Sequence, residues 1–267
     1  MGGVHPSAHV ADGAVLGDGV SIGPLCVVGP DVVLGDGVVL ASHVVVEGRT
    51  TLGARVRVSP FAVLGGAPQQ TQHEGDDGEV VIGADVTIRE HVTVHAGSSV
   101  GSGRTTVGDG CLLMVGSHVA HDCRLGAGCT LVNGALLGGH AELGEGVFVG
   151  GATTVHQFVR LGDHAYVGGS SAVERDVVPW GLAWGNRATL RGPNLVGMRR
   201  AGMDGAAVRR ARALFEVLFG VGDEPLQSRL DAIDGGAADR VMDPVAADVL
   251  RFLSAESRRG VLGRMGR

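Results

Sequence analysis

The chain has 267 residues, of which 44% are hydrophobic but only 3% aromatic, and its formal net charge is −6. The acidic balance argues against general nucleic-acid binding. The sequence has no run of 18 apolar residues, so we expect no membrane span. No secretory signal is recognisable, so we expect a cytoplasmic protein. All 22 cationic residues are arginine, which excludes a Schiff-base lysine and leaves Arg, His and backbone amides to hold any phosphate.

Aliphatic residues recur every six positions along the first two thirds of the chain. Twenty-six such positions form three runs, from residue 10 to 64, from 82 to 100 and from 107 to 173. A period of six fits neither an α-helix nor an alternating strand, and it is typical of a parallel β-helix of hexapeptide repeats. Three hexads make one triangular coil, so residues 18 apart are expected to stack about 4.8 Å from one another. These hexad leaders are predicted to point inward.

Two segments interrupt the period. Residues 66–80, which read GAPQQTQHEGDDGEV, are polar and rich in Gly and Asp. We expect them to leave the solenoid as a loop that contributes to function. Residues 101–106, which read GSGRTT, are predicted to form a smaller bulge.

The cysteines all stand at one position of the repeat, four residues after a hexad leader. They are Cys26, Cys111, Cys123 and Cys129. The other residues at this position are small and uncharged, so we interpret the thiols as inward-facing apolar side chains. Their spacing matches no CxxC metal pattern.

The last part of the chain changes to a helical pattern. Asp204 is a predicted N-cap before apolar residues at helical spacing. A second helix is indicated by Leu226, Leu230 and Ile233. Pro244 suits the first position of a third helix. We predict a hexapeptide-repeat domain over residues 1–190, and over 191–267 a C-terminal α-helical domain that covers the open edge of the solenoid.

Histidines line up when the chain is read in steps of 18 residues. The column contains, in order, His121, Gly139 with its neighbour His140, and Gln157 with its neighbour His156. His118 lies three residues before His121, near the same edge. We predict that these side chains cluster within roughly 10 Å, because consecutive coils are one strand spacing apart.

This cluster suggests acyl transfer. A neutral His121 is a suitable general base near physiological pH, and Asp122 could orient its imidazole. Gly139 offers a backbone N–H with no side chain in the way, as an oxyanion donor would. No nucleophilic Ser or Cys stands out, which favours direct attack by the acceptor. We predict no metal, because no further carboxylate or thiolate completes an obvious tetrahedral set.

Several stretches together resemble one family of hexapeptide acyltransferases. They are HPSAHV, SHVAHDC, GGHAELGEG, TTVHQFVRLGDHAYVGG and WGNRATLRGPNLVGMRRAG. Over nearly the whole chain they look like the acyl-carrier-protein–UDP-N-acetylglucosamine O-acyltransferases of lipid A synthesis. The resemblance implies a left-handed β-helix homotrimer with active sites between subunits. It implies transfer of a fatty or 3-hydroxy fatty acyl group to the 3-position of UDP-N-acetylglucosamine, with no cofactor beyond the phosphopantetheine of the carrier protein.

The same resemblance assigns roles to individual residues. His121 matches the family's general base, Asp122 its acidic neighbour and Gly139 its oxyanion amide. Substrate-contacting positions are matched by His118, His140, His156, Gln157, Asn194 and Arg200. Gly169 falls where the family sets the acyl length, and because glycine leaves room there, we expect a longer acyl chain.

The chain departs from the family in its acceptor contacts. The first loop of the family usually reads Pro-Gln-Asp-x-Lys-Tyr, whereas residues 68–73 read PQQTQH. Gln70 and Gln72 therefore replace an aspartate and a lysine that help to hold the sugar nucleotide, and we expect them to contact the acceptor in their place. Val196 replaces a glutamate of the C-terminal motif.

These departures leave alternatives open beside UDP-N-acetylglucosamine acylation. The same chemistry could act on a modified acceptor, such as a 3-amino sugar nucleotide or another nucleotide of a specialised pathway. An acetyl-CoA-dependent hexapeptide acetyltransferase is a further enzyme class. A non-catalytic solenoid that serves as a structural or binding trimer is the alternative from outside enzymology.

Overall fold

In the computed structural model the chain forms a left-handed parallel β-helix followed by helices. The structure describes residues 2–75, 78–220, 224–235 and 244–264, without the side chains of 232–235. Within these ranges, 28 strands, β1 to β28 in chain order, form the three faces of a triangular solenoid. The sequence-based prediction of the fold class is confirmed.

Each face is one sheet of stacked short strands. The first face contains β1 (Gly3–Val4), β4 (Ser21–Ile22), β7 (Val39–Leu40), β10 (Arg57–Val58), β13 (Thr87–Ile88), β16 (Leu112–Leu113), β19 (Thr130–Leu131), β22 (Phe148–Val149), β25 (Tyr166–Val167), β27 (Gly181–Trp184) and β28 (Thr189–Pro193). The second face contains β2 (His9–Val10), β5 (Val27–Val28), β8 (Val45–Val46), β11 (Val63–Gly66), β14 (Thr93–His95), β17 (His118–Val119), β20 (Leu136–Leu137), β23 (Thr154–Val155) and β26 (Ala172–Val173). The third face contains β3 (Val15–Leu16), β6 (Val33–Leu34), β9 (Arg49–Leu52), β12 (Glu79–Ile82), β15 (Arg104–Val107), β18 (Arg124–Leu125), β21 (Glu142–Leu143) and β24 (Arg160–Leu161).

The strand register confirms the 18-residue coil. His118 pairs with Leu136, and Leu136 pairs in turn with Thr154. Across the first interruption the paired residues are further apart in sequence, as Arg57 with Thr87. All of these strand pairs are parallel, and only β27 and β28 pair antiparallel among the described strands. The period in the sequence therefore places side chains of distant residues at known heights on each face.

The interior is filled by the hexad leaders and the position four residues later. Leu113, Leu131 and Leu137 are among the largest fully buried side chains. All four cysteines are buried and free, and the Sγ of Cys123 lies 3.2 Å from the carbonyl oxygen of Gly138. Their predicted role as inward-facing filler is confirmed. Burial also raises the pKa of the Cys123 thiol to about 12.

Two hexad leaders depart from the inward pattern. Leu16 is 37% exposed, in the first coils of the solenoid. Val100 is 52% exposed, and the prediction that it points inward is wrong. The chain leaves the coil after β14 and returns only at β15, so Val100 lies in a loop and not on a strand. The second interruption therefore starts earlier than the sequence period indicates.

Four helices follow the last strands. They are α1 (Leu195–Arg200), α2 (Gly205–Phe219), α3 (Leu226–Gly235) and α4 (Pro244–Ser254). The side chain of Asp204 accepts a hydrogen bond from the Ala207 N–H, as predicted for an N-cap. Helix α2 packs on β28 and buries Phe215. None of the helices in the described ranges is long and apolar enough to cross a bilayer.

Candidate active site

The site lies at the corner between the second and third faces, where His121 follows β17. The Nδ1 atom of His121 is 2.8 Å from Oδ2 of Asp122, and both side chains are buried. An ionised carboxylate can only accept hydrogen bonds, so Nδ1 carries the proton and donates it to Asp122. The other ring nitrogen, Nε2, is left with a lone pair that can accept a proton.

Asp122 is held in a cradle of hydrogen-bond donors. The N–H and the hydroxyl group of Ser98 lie 3.1 and 2.7 Å from Oδ2. The Ser102 hydroxyl and the Gly103 N–H each lie 3.0 Å from Oδ1. Burial alone would raise the pKa of Asp122, but the hydrogen bonds from His121, Ser98 and Ser102 outweigh it and lower the pKa to about 2. The carboxylate therefore stays ionised at every physiological pH.

The cradle is built by the second interruption of the repeat. Residues 96–103 form a loop between β14 and β15 that covers Asp122. Gly101 lies against this carboxylate so closely that a Cβ on it would overlap the Asp122 oxygens. The sequence alone predicts only a smaller bulge over residues 101–106 and does not identify Ser98, Gly101 or Ser102 as residues of the site. The feature of the sequence that indicates this cradle is the position of the break in the repeat, one coil before the candidate base.

His118 stands beside the pair on the second face. Its Nδ1 is 2.7 Å from the Thr93 hydroxyl oxygen, and its ring meets the ring of His95 edge-on at 5.1 Å. Burial, with the neighbouring His95 and His121, lowers the pKa of His118 to about 4. His118 is therefore a neutral hydrogen-bonding group at physiological pH.

His140 occupies the next coil on the side of Asp122. Its ring meets that of His121 edge-on at 5.1 Å and stacks on Phe158 at 4.4 Å. The guanidinium of Arg258, from the segment after α4, lies 4.7 Å from the centre of the Phe158 ring. Burial lowers the pKa of His140, and His121 and Arg258 add to this against the opposing charge of Asp122. The corner brings these groups together because Asp122, His140 and Phe158 share the same left-handed backbone conformation at φ 61°, 61° and 64°.

A groove of about 450 Å³ opens in front of His121. Its lining consists of Gln69, His118, Ala120, His121, Leu136, Leu137, Gly138, Gly139, Thr154, Val155, His156 and Gln157. It therefore combines polar groups at the corner with an apolar strip along the second face. Such a mixed lining suits a ligand with one polar and one apolar part.

Gly139 closes the groove directly next to the base. A Cβ on this residue would stand 2.6 Å from both Cε1 and Nε2 of His121. Within the described part of the chain, the Gly139 N–H has no hydrogen-bond acceptor, while its carbonyl accepts from Phe158. A free N–H beside a lone-pair nitrogen is the geometry that an oxyanion donor and a general base require.

The first loop enters the site through a residue that is not among the predicted site residues. Gln69 lines the groove. The side-chain oxygen of Gln70 instead accepts a hydrogen bond from the N–H of Gln72, at 3.2 Å. Neither Gln70 nor Gln72 is part of the groove lining. Adjacent glutamines of an irregular loop could not be distinguished without its backbone path.

Three further candidates lie elsewhere in the single chain. Gly169 lies at the opposite corner of the second face, just before β26. Asn194 caps α1 through the Gly197 N–H and donates from Nδ2 to the carbonyl of His164, which belongs to the corner between the third and first faces. Arg200 ends α1 and is exposed. One chain therefore does not bring Asn194 and Arg200 to the groove.

Among the described residues, one group has the spacing of a metal site. Ligand atoms of His121, Asp122 and His140 lie within 4.8 Å of one another. Both oxygens of Asp122, however, are already used by the donors of the cradle and by His121. A metal ion could bind here only after those hydrogen bonds were broken.

Comparison with protein families agrees with this geometry. Residues 13–48 and 104–139 match the bacterial transferase hexapeptide repeat, and residues 176–262 match the second domain of UDP-N-acetylglucosamine O-acyltransferase. Proteins named acyl-[acyl-carrier-protein]–UDP-N-acetylglucosamine O-acyltransferase are similar over nearly their full length. The one from Azorhizobium caulinodans is 48% identical over 97% of this chain and 94% of its own. The one from Rhizobium etli is 46% identical over 96% of this chain and 95% of its own.

Solved structures show the same likeness. UDP-N-acetylglucosamine acyltransferase from Campylobacter jejuni superposes with a TM-score of 0.90 at 37% identity, covering 98% of this chain and 100% of the other. The Francisella novicida UDP-N-acetylglucosamine acyltransferase superposes with a TM-score of 0.91 at 30% identity, covering 97% and 94%. The likeness includes the helices as well as the solenoid.

Proposed function

The chain belongs to the acyl-carrier-protein–UDP-N-acetylglucosamine O-acyltransferase family, and we propose that His121 is the general base of its reaction. The protein is an acyltransferase that moves an acyl group from acyl carrier protein to UDP-N-acetylglucosamine, in the pathway of lipid A synthesis. The observation that carries the proposed mechanism is the His121–Asp122 hydrogen bond, which leaves Nε2 free beside the N–H of Gly139.

The proposed reaction is one direct displacement. Nε2 of His121 takes the proton of the sugar 3-hydroxyl group while the hydroxyl oxygen attacks the carbonyl carbon of the acyl thioester. The negative charge that develops on the carbonyl oxygen is stabilised by the Gly139 N–H. When the tetrahedral intermediate collapses, the carbon–sulfur bond breaks and the proton on Nε2 passes to the sulfur of phosphopantetheine. A new ester and a free thiol result, and His121 is neutral again.

Asp122 serves this cycle by remaining charged. Its low pKa keeps the carboxylate ionised while the imidazole gains and loses a proton. His118, which stays neutral, supports the reaction as a hydrogen-bonding partner for the acceptor. His156 and Gln157 line the same groove and are placed to contact the acceptor too, and the ring of His140 meets that of the base edge-on.

We infer that the reaction needs no cofactor beyond the phosphopantetheine of the carrier. Both oxygens of Asp122 are committed to hydrogen bonds, so His121, Asp122 and His140 do not fit a resident metal ion. The Gly139 N–H already stabilises the charge on the carbonyl oxygen, and His121 already activates the attacking hydroxyl group. These are the two tasks that a metal ion would otherwise perform.

We further propose that the working enzyme is a homotrimer in the cytoplasm. Asn194 and Arg200 belong to a different corner from His121 within one chain. They can act on the substrate of that groove only if a neighbouring subunit presents them. The resemblance to the family favours three copies around one axis, which make each such contact equivalent. Acyl carrier protein and sugar nucleotides are soluble molecules of the cytoplasm.

An acyl-transfer assay tests the function and the base together. Long-chain acyl carrier protein is offered with UDP-N-acetylglucosamine or its 3-amino analogue, and products are identified by mass spectrometry. We expect transfer to UDP-N-acetylglucosamine, and loss of about 10²-fold or more in rate with H121A. H43N is the matched control, because His43 also packs against an aromatic ring, that of Phe61, but at another corner. Undiminished transfer by H121A would refute the proposed base, and transfer to neither acceptor would point to a non-catalytic solenoid.

A further inference from the structure

The two interruptions of the repeat are joined by hydrogen bonds. The Ser99 N–H donates to Nδ1 of His73, at 3.1 Å, and the Glu74 N–H donates to the Ser99 hydroxyl oxygen, at 3.0 Å. Nearer the base of the loop, the carbonyl of Ala67 lies 2.7 Å from Nδ1 of His95. The loop that carries Gln69 is therefore fastened both to Ser99, in the segment between β14 and β15, and to His95 at the end of β14.

The fastened segment is the one that cradles the carboxylate. Ser98 precedes Ser99 directly, is fully buried, and donates to Oδ2 of Asp122 from both its N–H and its hydroxyl group. The same Oδ2 accepts the hydrogen bond of His121. A continuous path of contacts therefore runs from His73 through Ser99 and Ser98 to Asp122, and from Asp122 to the candidate base.

We propose that His73 is a positioning residue, which ties the acceptor loop to the Asp122 cradle and so sets the orientation of His121. This inference rests on the proposed acyl transfer and extends it, because it makes the placement of the base depend on the loop that supplies Gln69 to the groove. The expected consequence is that detaching the loop slows the chemical step as well as weakening acceptor binding.

The geometry makes this coupling sensitive. Gly101 touches the Asp122 carboxylate on one side, and the His121 ring touches Gly139 on the other. A shift of Ser98 therefore moves Oδ2 of Asp122. The imidazole of His121 can follow that oxygen only by moving along Gly139. A displacement of about 1 Å at a reacting group can cost on the order of 10²-fold in rate.

The role of His73 depends on one ring nitrogen. Nδ1 accepts the hydrogen bond from Ser99, so the ring proton resides on Nε2. In H73N the amide oxygen can accept from the same N–H, whereas H73F keeps an aromatic ring but has no acceptor. Thr71 is exposed in the same loop, and T71A is the matched control.

The experiment measures kcat and the acceptor KM for the full-length protein and these three variants. We expect kcat to fall about tenfold in H73F and to stay within about threefold of the parent in H73N and T71A. A kcat in H73F equal to that of the parent, with any loss confined to KM, would overturn the inference, because the loop would then only hold the acceptor.

A second measurement does not depend on turnover. The proton on Nδ1 of His121, shared with Asp122, is expected to give a downfield NMR signal that D122N removes. This signal should shift or broaden in H73F and remain in H73N. No acyl transfer by the parent protein would refute the proposed function alone, whereas an unchanged signal in H73F would refute the coupling alone. If H73F does not fold, H73A replaces it, since it also removes the acceptor for the Ser99 N–H and should reduce kcat in the same direction.

Discussion

The imidazole of His121 lies so close to Gly139 that a Cβ at position 139 would stand 2.6 Å from its Nε2. The two residues belong to consecutive coils, and the His140 N–H donates to the His121 carbonyl between them, at 3.0 Å. The absence of a side chain at 139 therefore does two things. It makes room for the ring of the base, and it leaves a free N–H next to it.

This contact predicts the effect of G139A. The added methyl group must displace the imidazole, because the approach of 2.6 Å is below any ordinary carbon–nitrogen contact. We expect kcat to fall about 10²-fold or more with little change in the unfolding transition. The matched control is G3A, because Gly3 has open space where its Cβ would stand. Wild-type kcat in G139A would show that neither the ring position nor the amide is critical.

The Asp122 cradle predicts the effect of D122N. The asparagine amide would present an NH₂ group to donors that now point at a carboxylate. The amide would also no longer favour the His121 tautomer that carries the proton on Nδ1. We expect kcat to fall about 10²- to 10⁴-fold. D109N is a matched control, because Asp109 also accepts a backbone N–H, that of Ala84, but at another corner. A loss below threefold in D122N would contradict the assigned role.

His118 predicts a dependence of stability on pH. Its pKa is about 4 in the folded protein and near 6.5 when unfolded. Between these values only the unfolded chain binds the proton, so the free energy of unfolding should decrease as the pH falls from about 6.5 towards 4. A shift of this size corresponds to about 3 kcal/mol, and because the side chain is partly exposed to solvent we expect a loss of about 2 kcal/mol. Asp122, with a pKa of about 2, acts in a separate window below pH 4.

Denaturant unfolding of the parent and H118N at several pH values measures this contribution. Asparagine can keep a hydrogen bond to Thr93 but does not titrate. The variant should therefore lose less stability than the parent on acidification from pH 6.5 to 4.5. Parallel curves for the two proteins would show that His118 is not held neutral by folding.

The loop geometry predicts which glutamine matters for the acceptor. Gln69 lines the groove, whereas the side chain of Gln70 is engaged with the N–H of Gln72. We expect Q69A to raise the acceptor KM about fivefold, the value of one hydrogen bond, and to do so more than Q70A or Q72A. T71A controls for general disturbance of the loop. A larger effect of Q70A than of Q69A would mean that the loop rearranges when substrate binds.

The sequence predicted the site wherever the repeat continues unbroken. The 18-residue step correctly placed Gly139, His140 and His156 near His121, because each coil must return to the same face to pair its strands. The same rule placed Cys111 and Cys129 in the interior. These are consequences of local spacing, repeated along the chain, and they need no knowledge of long-range contacts.

The predictions failed or fell short where the repeat breaks. Val100 continues the period of six but is exposed, and the segment around it folds over Asp122 instead. The preference for Gln69 over Gln70 also depends on how the first loop folds. In both loops the backbone is directed by hydrogen bonds to residues more than 18 positions away, such as Ser99 to His73.

The sequence by itself therefore determined the solenoid, the filling of its interior and the column that contains the candidate base. Strand pairing at a constant period is a local and repeated constraint, and it can be read from spacing alone. Only the tertiary structure decided that two irregular loops meet beside that column. One loop donates hydrogen bonds to the charged carboxylate of Asp122, and the other supplies Gln69 to the groove. Those contacts arise between segments of no shared period, so only their folded paths reveal which polar groups meet.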